Sequence, residues 1–210
     1  PNAVGQIAPS VIIDVNSGQS DPTNTASSGT PIVFDVTVDE PVQVGTDPDG
    51  MTIDDYTNSG TAGAMTGVLT TSDNTVFSYR VEGLAMDGTV MPVLAAGTFR
   101  DLAGNNNTAS TNDLSDGTVT YDIVPPTVSL GAPSSTVTAG GPVSYGVTIS
   151  GADSINLTDG DVTLNTTGTA TGTVAVTNGT TSSPTVTISG ITGDGTLGIS
   201  IGASVSGDAA

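Results

Sequence analysis

Tyr79-Arg-Val-Glu-Gly-Leu-Ala-Met-Asp-Gly-Thr-Val90 and Val186-Thr-Ile-Ser-Gly-Ile-Thr-Gly-Asp-Gly-Thr-Leu197 are two copies of one pattern. Each reads strand, Gly, apolar residue, Asp-Gly-Thr, strand. The likeness continues downstream, where Ala95-Ala-Gly-Thr-Phe-Arg-Asp-Leu-Ala matches Gly202-Ala-Ser-Val-Ser-Gly-Asp-Ala-Ala in outline. Upstream, Ala8-Pro-Ser-Val-Ile-Ile matches Pro125-Pro-Thr-Val-Ser-Leu. A repeat of about a hundred residues indicates an array of domains, not a fine solenoid.

The boundary falls near Val124-Pro125-Pro126. Paired prolines block helix and remove two backbone donors, which makes a stiff, extended joint. Residues 1–7 read as a linker or N-terminal extension, 8–124 as repeat 1 and 125–210 as repeat 2. The chain starts at Pro1 without a visible signal peptide, so it reads as a mature or excised segment.

Within the repeats the apolar residues alternate. In Pro31-Ile-Val-Phe-Asp-Val-Thr-Val38, one face carries Ile32, Phe34, Val36 and Val38. In Val143-Ser-Tyr-Gly-Val-Thr-Ile149, Val143, Tyr145, Val147 and Ile149 do the same. This is the period of a half-buried strand. Further strands are expected at 11–15, 51–56, 65–70, 75–82, 89–95 and 117–123, and in repeat 2 at 127–131, 161–166, 172–177, 184–189 and 196–201. Turn signals separate them: Asp49-Gly50, Asp87-Gly88, Asp116-Gly117, Asp159-Gly160, Asn178-Gly179 and Asp194-Gly195. Short strands so punctuated are the mark of an all-β Greek-key sandwich, here two in tandem. Aromatic residues are 3% of the chain and Trp is absent, so the expected cores are aliphatic.

Charge narrows the function. The chain has 21 acidic residues and two cations, Arg80 and Arg100, for a formal charge of −19. Such a surface repels phosphate backbones and anionic lipid, which argues against nucleic-acid partners and membrane-surface docking. No apolar stretch is long enough to insert directly into a membrane. The acids are almost all Asp, which suits turns as well as cation binding. Cys, His and Lys are absent. Disulfides, thiol chemistry and the usual catalytic bases are therefore missing, and the chain reads as a non-enzyme. A carboxylate pair can serve a glycosidase, but Asp54-Asp55 reads as a solvated turn. With so few aromatics, a carbohydrate-binding module is the weaker alternative.

Several elements in this order resemble the bacterial immunoglobulin-like repeats of large surface adhesins and biofilm-associated proteins. They are Pro9-Ser-Val-Ile-Ile13, Ser20-Asp-Pro-Thr-Asn24, Val38-Asp-Glu-Pro-Val42, the Gly83 to Asp-Gly-Thr89 element and Arg100-Asp-Leu-Ala-Gly-Asn105. The resemblance covers repeat 1 and most of repeat 2, which lacks the Asp-Pro-Thr-Asn and Asp-Glu-Pro elements. It implies an immunoglobulin-like fold and a structural spacer or adhesive role at the cell surface or outside the cell. The partners it implies are neighbouring repeats or subunits of the same assembly. It also implies calcium at the joints of such arrays. Repeat 1 offers Asp14 and Asn16 at the end of its first strand, Asp101 and Asn105 in Asp-Leu-Ala-Gly-Asn, and Asp122 beside the linker. These are hard oxygen donors of the kind calcium takes. The bland reading is a turn at Asp14 and Asn16, a loop cap at Asp101 and an exposed Asp122. Asn106, Asn156, Asn165 and Asn178 begin N-glycosylation patterns that so much Asn and Thr also produces by chance.

Repeat 1 runs on into Gly117-Thr-Val-Thr-Tyr-Asp-Ile123, whereas repeat 2 stops at Gly207-Asp-Ala-Ala, short of its last strand. Either the array continues past Ala210 or another subunit supplies the strand. The second alternative makes the chain a subunit of an extracellular filament, S-layer or virion surface assembled by strand addition. Asn2-Ala-Val-Gly-Gln-Ile-Ala8 is the candidate donor, but Val4 and Ile7 are three apart, which fits alternate pockets poorly.

Overall fold

A computed structural model describes residues 7–45, 50–112 and 117–208. Residues 2–6 of the candidate donor stretch, Asp49 and Asp116 lie outside them. The chain divides into two compact units, with the boundary between Ile123 and Val124. Among the described residues, no helix is long and apolar enough to cross a membrane.

Unit 1 contains β1 (Val11–Val15), β2 (Ile32–Val38), β3 (Tyr56–Asn58), β4 (Thr66–Thr71), β5 (Val76–Glu82), β6 (Gly88–Val90), β7 (Pro92–Leu94) and β8 (Val119–Tyr121). A four-stranded antiparallel sheet has the order β1-β2-β5-β4. The pairs β3–β7 and β6–β8 supply the apolar residues facing it. The alternation in β2 does what its period dictates: Ile32, Phe34, Val36 and Val38 are buried, and Thr37 is exposed.

Unit 2 contains β9 (Thr127–Pro133), β10 (Val143–Ser150), β11 (Ser154–Ile155), β12 (Val162–Thr166), β13 (Thr171–Thr177), β14 (Thr185–Thr192), β15 (Leu197–Ile201) and β16 (Ser206–Gly207). Its four-stranded antiparallel sheet is β9-β10-β14-β13, the same plan in the same order. The register agrees at the centre of the sheets, although unit 2 has bulges at Tyr145–Val147 and Thr171–Thr173 that unit 1 lacks. Tyr79 pairs with Leu69 and Phe34; Val186 pairs with Val176 and Tyr145. Tyr56 pairs with Leu94, and Val162 with Ile201. From β4 to β7 the two units are offset by 107 residues (69 to 176, 79 to 186, 94 to 201). That offset also aligns the two copies of Asp-Gly-Thr.

Three expectations need correction. Residues 51–56 do not form one strand: Met51 makes an isolated bridge with Val44, Ile53–Asp55 is a 3-10 turn, and β3 begins at Tyr56. The Asp55 carboxylate accepts the Thr52 N–H at 2.6 Å and the Thr52 hydroxyl at 3.2 Å, closing a capping box that stops the strand. Thr158 and Asp161 repeat that box in unit 2, with bonds of 2.8 and 2.6 Å. The stretch 89–95 divides at Met91, because β6 pairs with β8 while β7 pairs with β3. The core of unit 1 is not purely aliphatic: among its Val, Ile and Leu residues it gathers Phe34, Phe77, Phe99, Tyr56, Tyr79 and Tyr121. Tyr145 alone carries a ring into the core of unit 2.

Candidate functional site

The Asp101–Asn105 turn follows from its sequence. Asp carboxylates bond to backbone two residues on, and Gly104, at φ +92°, takes the left-handed position. Asp101 is fully buried. Its Oδ1 accepts the N–H groups of Ala103 and Asn105, both at 2.8 Å, and its Oδ2 accepts Nδ2 of Asn105 at 2.7 Å. The Asn105 side-chain bond, helped by the backbone bonds and opposed by burial, holds the Asp101 carboxyl below its ordinary value. Gln43 ties the turn to the chain beyond β2, donating from its N–H to the Arg100 carbonyl and from Nε2 to the Asp101 carbonyl.

The five candidate calcium ligands occupy three places. Asp101 and Asn105 are together, but the Asn105 amide nitrogen faces the carboxylate. Asp14 and Asn16 lie at the opposite end of β1, where Asp14 pairs in register with Asp35. Asn16 donates Nδ2 to both oxygens of Asp35 at 3.0 Å and accepts the Gly18 N–H on Oδ1. Asp122 follows β8, and its N–H bonds the Thr23 carbonyl. Among the described residues, no group of three His, Cys, Asp or Glu side chains converges to hold a metal ion.

Asn107 is a polar core residue that the sequence reading passed over, although it is the middle residue of the first glycosylation pattern. It is buried, accepts the N–H groups of Thr98 and Phe99 on Oδ1, and donates Nδ2 to the carbonyls of Ala95 and Thr108. Both halves of its amide are satisfied, so it fastens the turn over the core. The Asn residues that begin the four patterns are exposed.

The aromatic inventory bears on sugar recognition. All three Phe and all four Tyr are buried, so none offers a saccharide a stacking face. Tyr56 and Tyr79 stack on each other with ring centroids 4.3 Å apart. Burial pushes the Tyr56 hydroxyl up and that of Tyr79 to about 12, which keeps both protonated.

Asp101 and Glu40 are coupled with opposite signs. Desolvation, then the negative charges of Asp101 and Asp39, raise the Glu40 carboxyl above its usual value. A depressed folded pKa stabilises above the unfolded pKa, and that stability is lost as pH falls through the folded value. A raised acid pKa stabilises at low pH, and that stability is lost as pH rises through the folded value. Asp101→Asn is therefore expected to lower Tm at neutral pH and to weaken the acid dependence of stability. Glu40→Gln is expected to raise Tm at neutral pH, with the gain vanishing below the carboxylate range. Thermal melts from pH 3 to 8 check both signs. In the comparisons with known proteins, the chain matches no family model, no curated protein and no solved structure.

Proposed function

We propose that the chain is a tandem pair of immunoglobulin-like Greek-key sandwiches serving as a non-catalytic spacer in a secreted or cell-surface repeat protein of the adhesin kind. The observation that carries this reading is the repeated plan: two units with the same sheet order, the same central register and the same capping box. Duplication of a module whose polar groups are spent on its own turns suits length and stiffness. Asp55, Asp101 and Asp161 each close a local turn. With its rings buried, the chain offers a carbohydrate little to stack on, which disfavours the binding-module alternative.

The test is fractionation of the source cells with an antibody to this chain. The expected result is signal in the medium or on intact cells that external protease removes. Signal confined to the cytosol overturns the reading.

Calcium belongs to the same proposal as a stiffening ion, supported only by the hard oxygen donors of an Asp-rich chain, Asp14, Asn16, Asp101, Asn105 and Asp122 among them. Millimolar calcium in place of chelator is expected to raise Tm beyond what sodium does at equal ionic strength. The sodium control is needed because salt also screens the self-repulsion of a chain with charge −19. Equal melts in the two salts remove calcium from the proposal.

A further inference from the structure

The connection between β13 and β14 begins with Asn178-Gly179, the single Asn-Gly pair in the sequence. Each residue has a structural reason to be there. Asn178 sits at φ +56°, a left-handed conformation that Asn tolerates better than most side chains. Gly179 lies against another loop: a Cβ there would be 2.0 Å from the Leu157 carbonyl oxygen and 3.1 Å from its carbon. The same approach allows the Leu157 N–H to donate to the Gly179 carbonyl at 2.9 Å. Leu157 is buried in the core of unit 2, so this bond tethers the turn to the core. The fold thus sets a left-handed asparagine directly before a glycine that nothing larger can replace.

Together the two make a reactive pair. An asparagine side chain is open to attack by the amide nitrogen of the next residue, and a glycine there leaves that nitrogen unshielded. Asn178 is exposed, and among the described residues neither its side-chain amide nor the Gly179 N–H bonds to protein. The other asparagines lack one condition or the other. The side-chain amides of Asn16, Asn58, Asn105, Asn106, Asn107 and Asn165 are all hydrogen-bonded. Asn74 and Asn156 precede Thr and Leu, whose side chains crowd the nitrogen. One feature opposes reaction at Asn178. Its carbonyl accepts the Thr181 N–H at 3.0 Å and the Thr181 hydroxyl at 2.9 Å, which holds the peptide plane in place.

We propose that Asn178 is a self-modifying site, which deamidates and in doing so releases the tether to Leu157. The Gly179 nitrogen gives its proton to solvent base and bonds to Cγ of Asn178. The Cγ–Nδ2 bond breaks, and the nitrogen leaves as ammonia. Water then opens the five-membered imide. Attack at Cγ gives aspartate; attack at the backbone carbonyl carbon gives isoaspartate, whose main chain runs through the former side chain. Both products add a carboxylate that is charged at neutral pH to a chain already at −19. The isoaspartate also lengthens the main chain just before Gly179, which moves that carbonyl away from Leu157. Because the Thr181 bonds must open first, the folded chain reacts more slowly than the unfolded one. None of this depends on where the chain resides, so fractionation leaves it untouched.

The test incubates the isotope-labelled 210-residue chain at about pH 8 and follows it by peptide-mapping mass spectrometry and amide exchange. Expected is the mass gain of an amide turned acid at residues 178–179, about tenfold faster than at any other Asn and split between two products of equal mass. Isomerisation at an Asp-Gly pair leaves the mass unchanged, so the gain reports asparagine alone. Urea is expected to speed the reaction, and Asn178→Gln to abolish the fast phase because a six-membered ring closes more slowly. The Leu157 amide is expected to lose protection in the isoaspartate form. Another Asn reacting first, or no gain at 178 in the folded chain by the time the chain in urea has converted, overturns the proposal. A Leu157 amide equally protected before and after conversion overturns the release of the tether.

Discussion

Phe34→Ala is expected to lower the stability of unit 1 by about 3–5 kcal/mol, the range for removing a fully buried phenylalanine. Phe34 is 0% exposed at the centre of β2. Its register partners are Val15 on β1 and Tyr79 on β5, so it lies on the middle strands of the four-stranded sheet. Tyr79 in turn stacks on Tyr56 of the facing layer. Truncation leaves a hole that rigid neighbours on both sides close only in part. A domain is stable by about 5–15 kcal/mol in total, so the loss is a large share of it. Near the melting point each kcal/mol is worth about 4–8 °C in a 60–100-residue domain and about 2–4 °C in one of 150–250 residues, so a fall of about ten degrees or more is expected for unit 1, which lies between these sizes. Chemical denaturation of the variant checks the free energy, with Phe34→Leu as the comparison that keeps most of the volume. A loss below about 1 kcal/mol contradicts the central place given to this ring.

The position of Phe34 was legible because β2 keeps strict alternation over its whole length. The same holds for β10, where one face is buried and the period of two admits one reading. Met51–Tyr56 misled for a physical reason. Met51, Ile53 and Tyr56 supply apolar residues at roughly strand spacing, and the pattern does not register that Asp55 turns back on Thr52. The signal was present as Thr-x-x-Asp, and its recurrence at Thr158 and Asp161 separates it from chance. Asp101 and Asn105 were legible as oxygen donors. Their hydrogen bonds were not, because composition does not say whether a carboxylate faces a cation or the N–H groups of its own turn. Aromatic content was read as scarcity, yet six rings spread between Phe34 and Tyr121 meet in one core. That meeting depends on β5 lying beside β2 and on β3 packing across from it, which are long-range pairings.

Gly195→Ala is expected to destabilise unit 2 strongly, whereas Gly198→Ala, three residues along in β15, is expected to be nearly neutral. Gly195 is the glycine of the second Asp-Gly-Thr and sits at φ +151°, which side chains rarely adopt. A Cβ there would lie 1.9 Å from the Thr167 carbonyl oxygen and 2.8 Å from its carbon. Both are backbone atoms, held in place because the Thr167 N–H bonds the Thr196 carbonyl and the Thr196 N–H bonds Oγ1 of Thr167. Strain of about 1–3 kcal/mol at such a backbone position adds to about 1–3 kcal/mol for forcing atoms into packed space. Gly198 has open space where its Cβ would go, so alanine there meets nothing. Unit 1 repeats the device: Gly88 sits at φ +149°, its added Cβ would lie 2.5 Å from Oγ1 of Thr61, and the Thr89 N–H bonds that same oxygen. The motif that first revealed the repeat therefore has one physical job in both halves. Its glycine lets a neighbouring loop close over the strand, and its threonine latches that loop. Urea denaturation of Gly195→Ala beside Gly198→Ala checks this, since equal midpoints would mean that the loop yields and the glycine is dispensable.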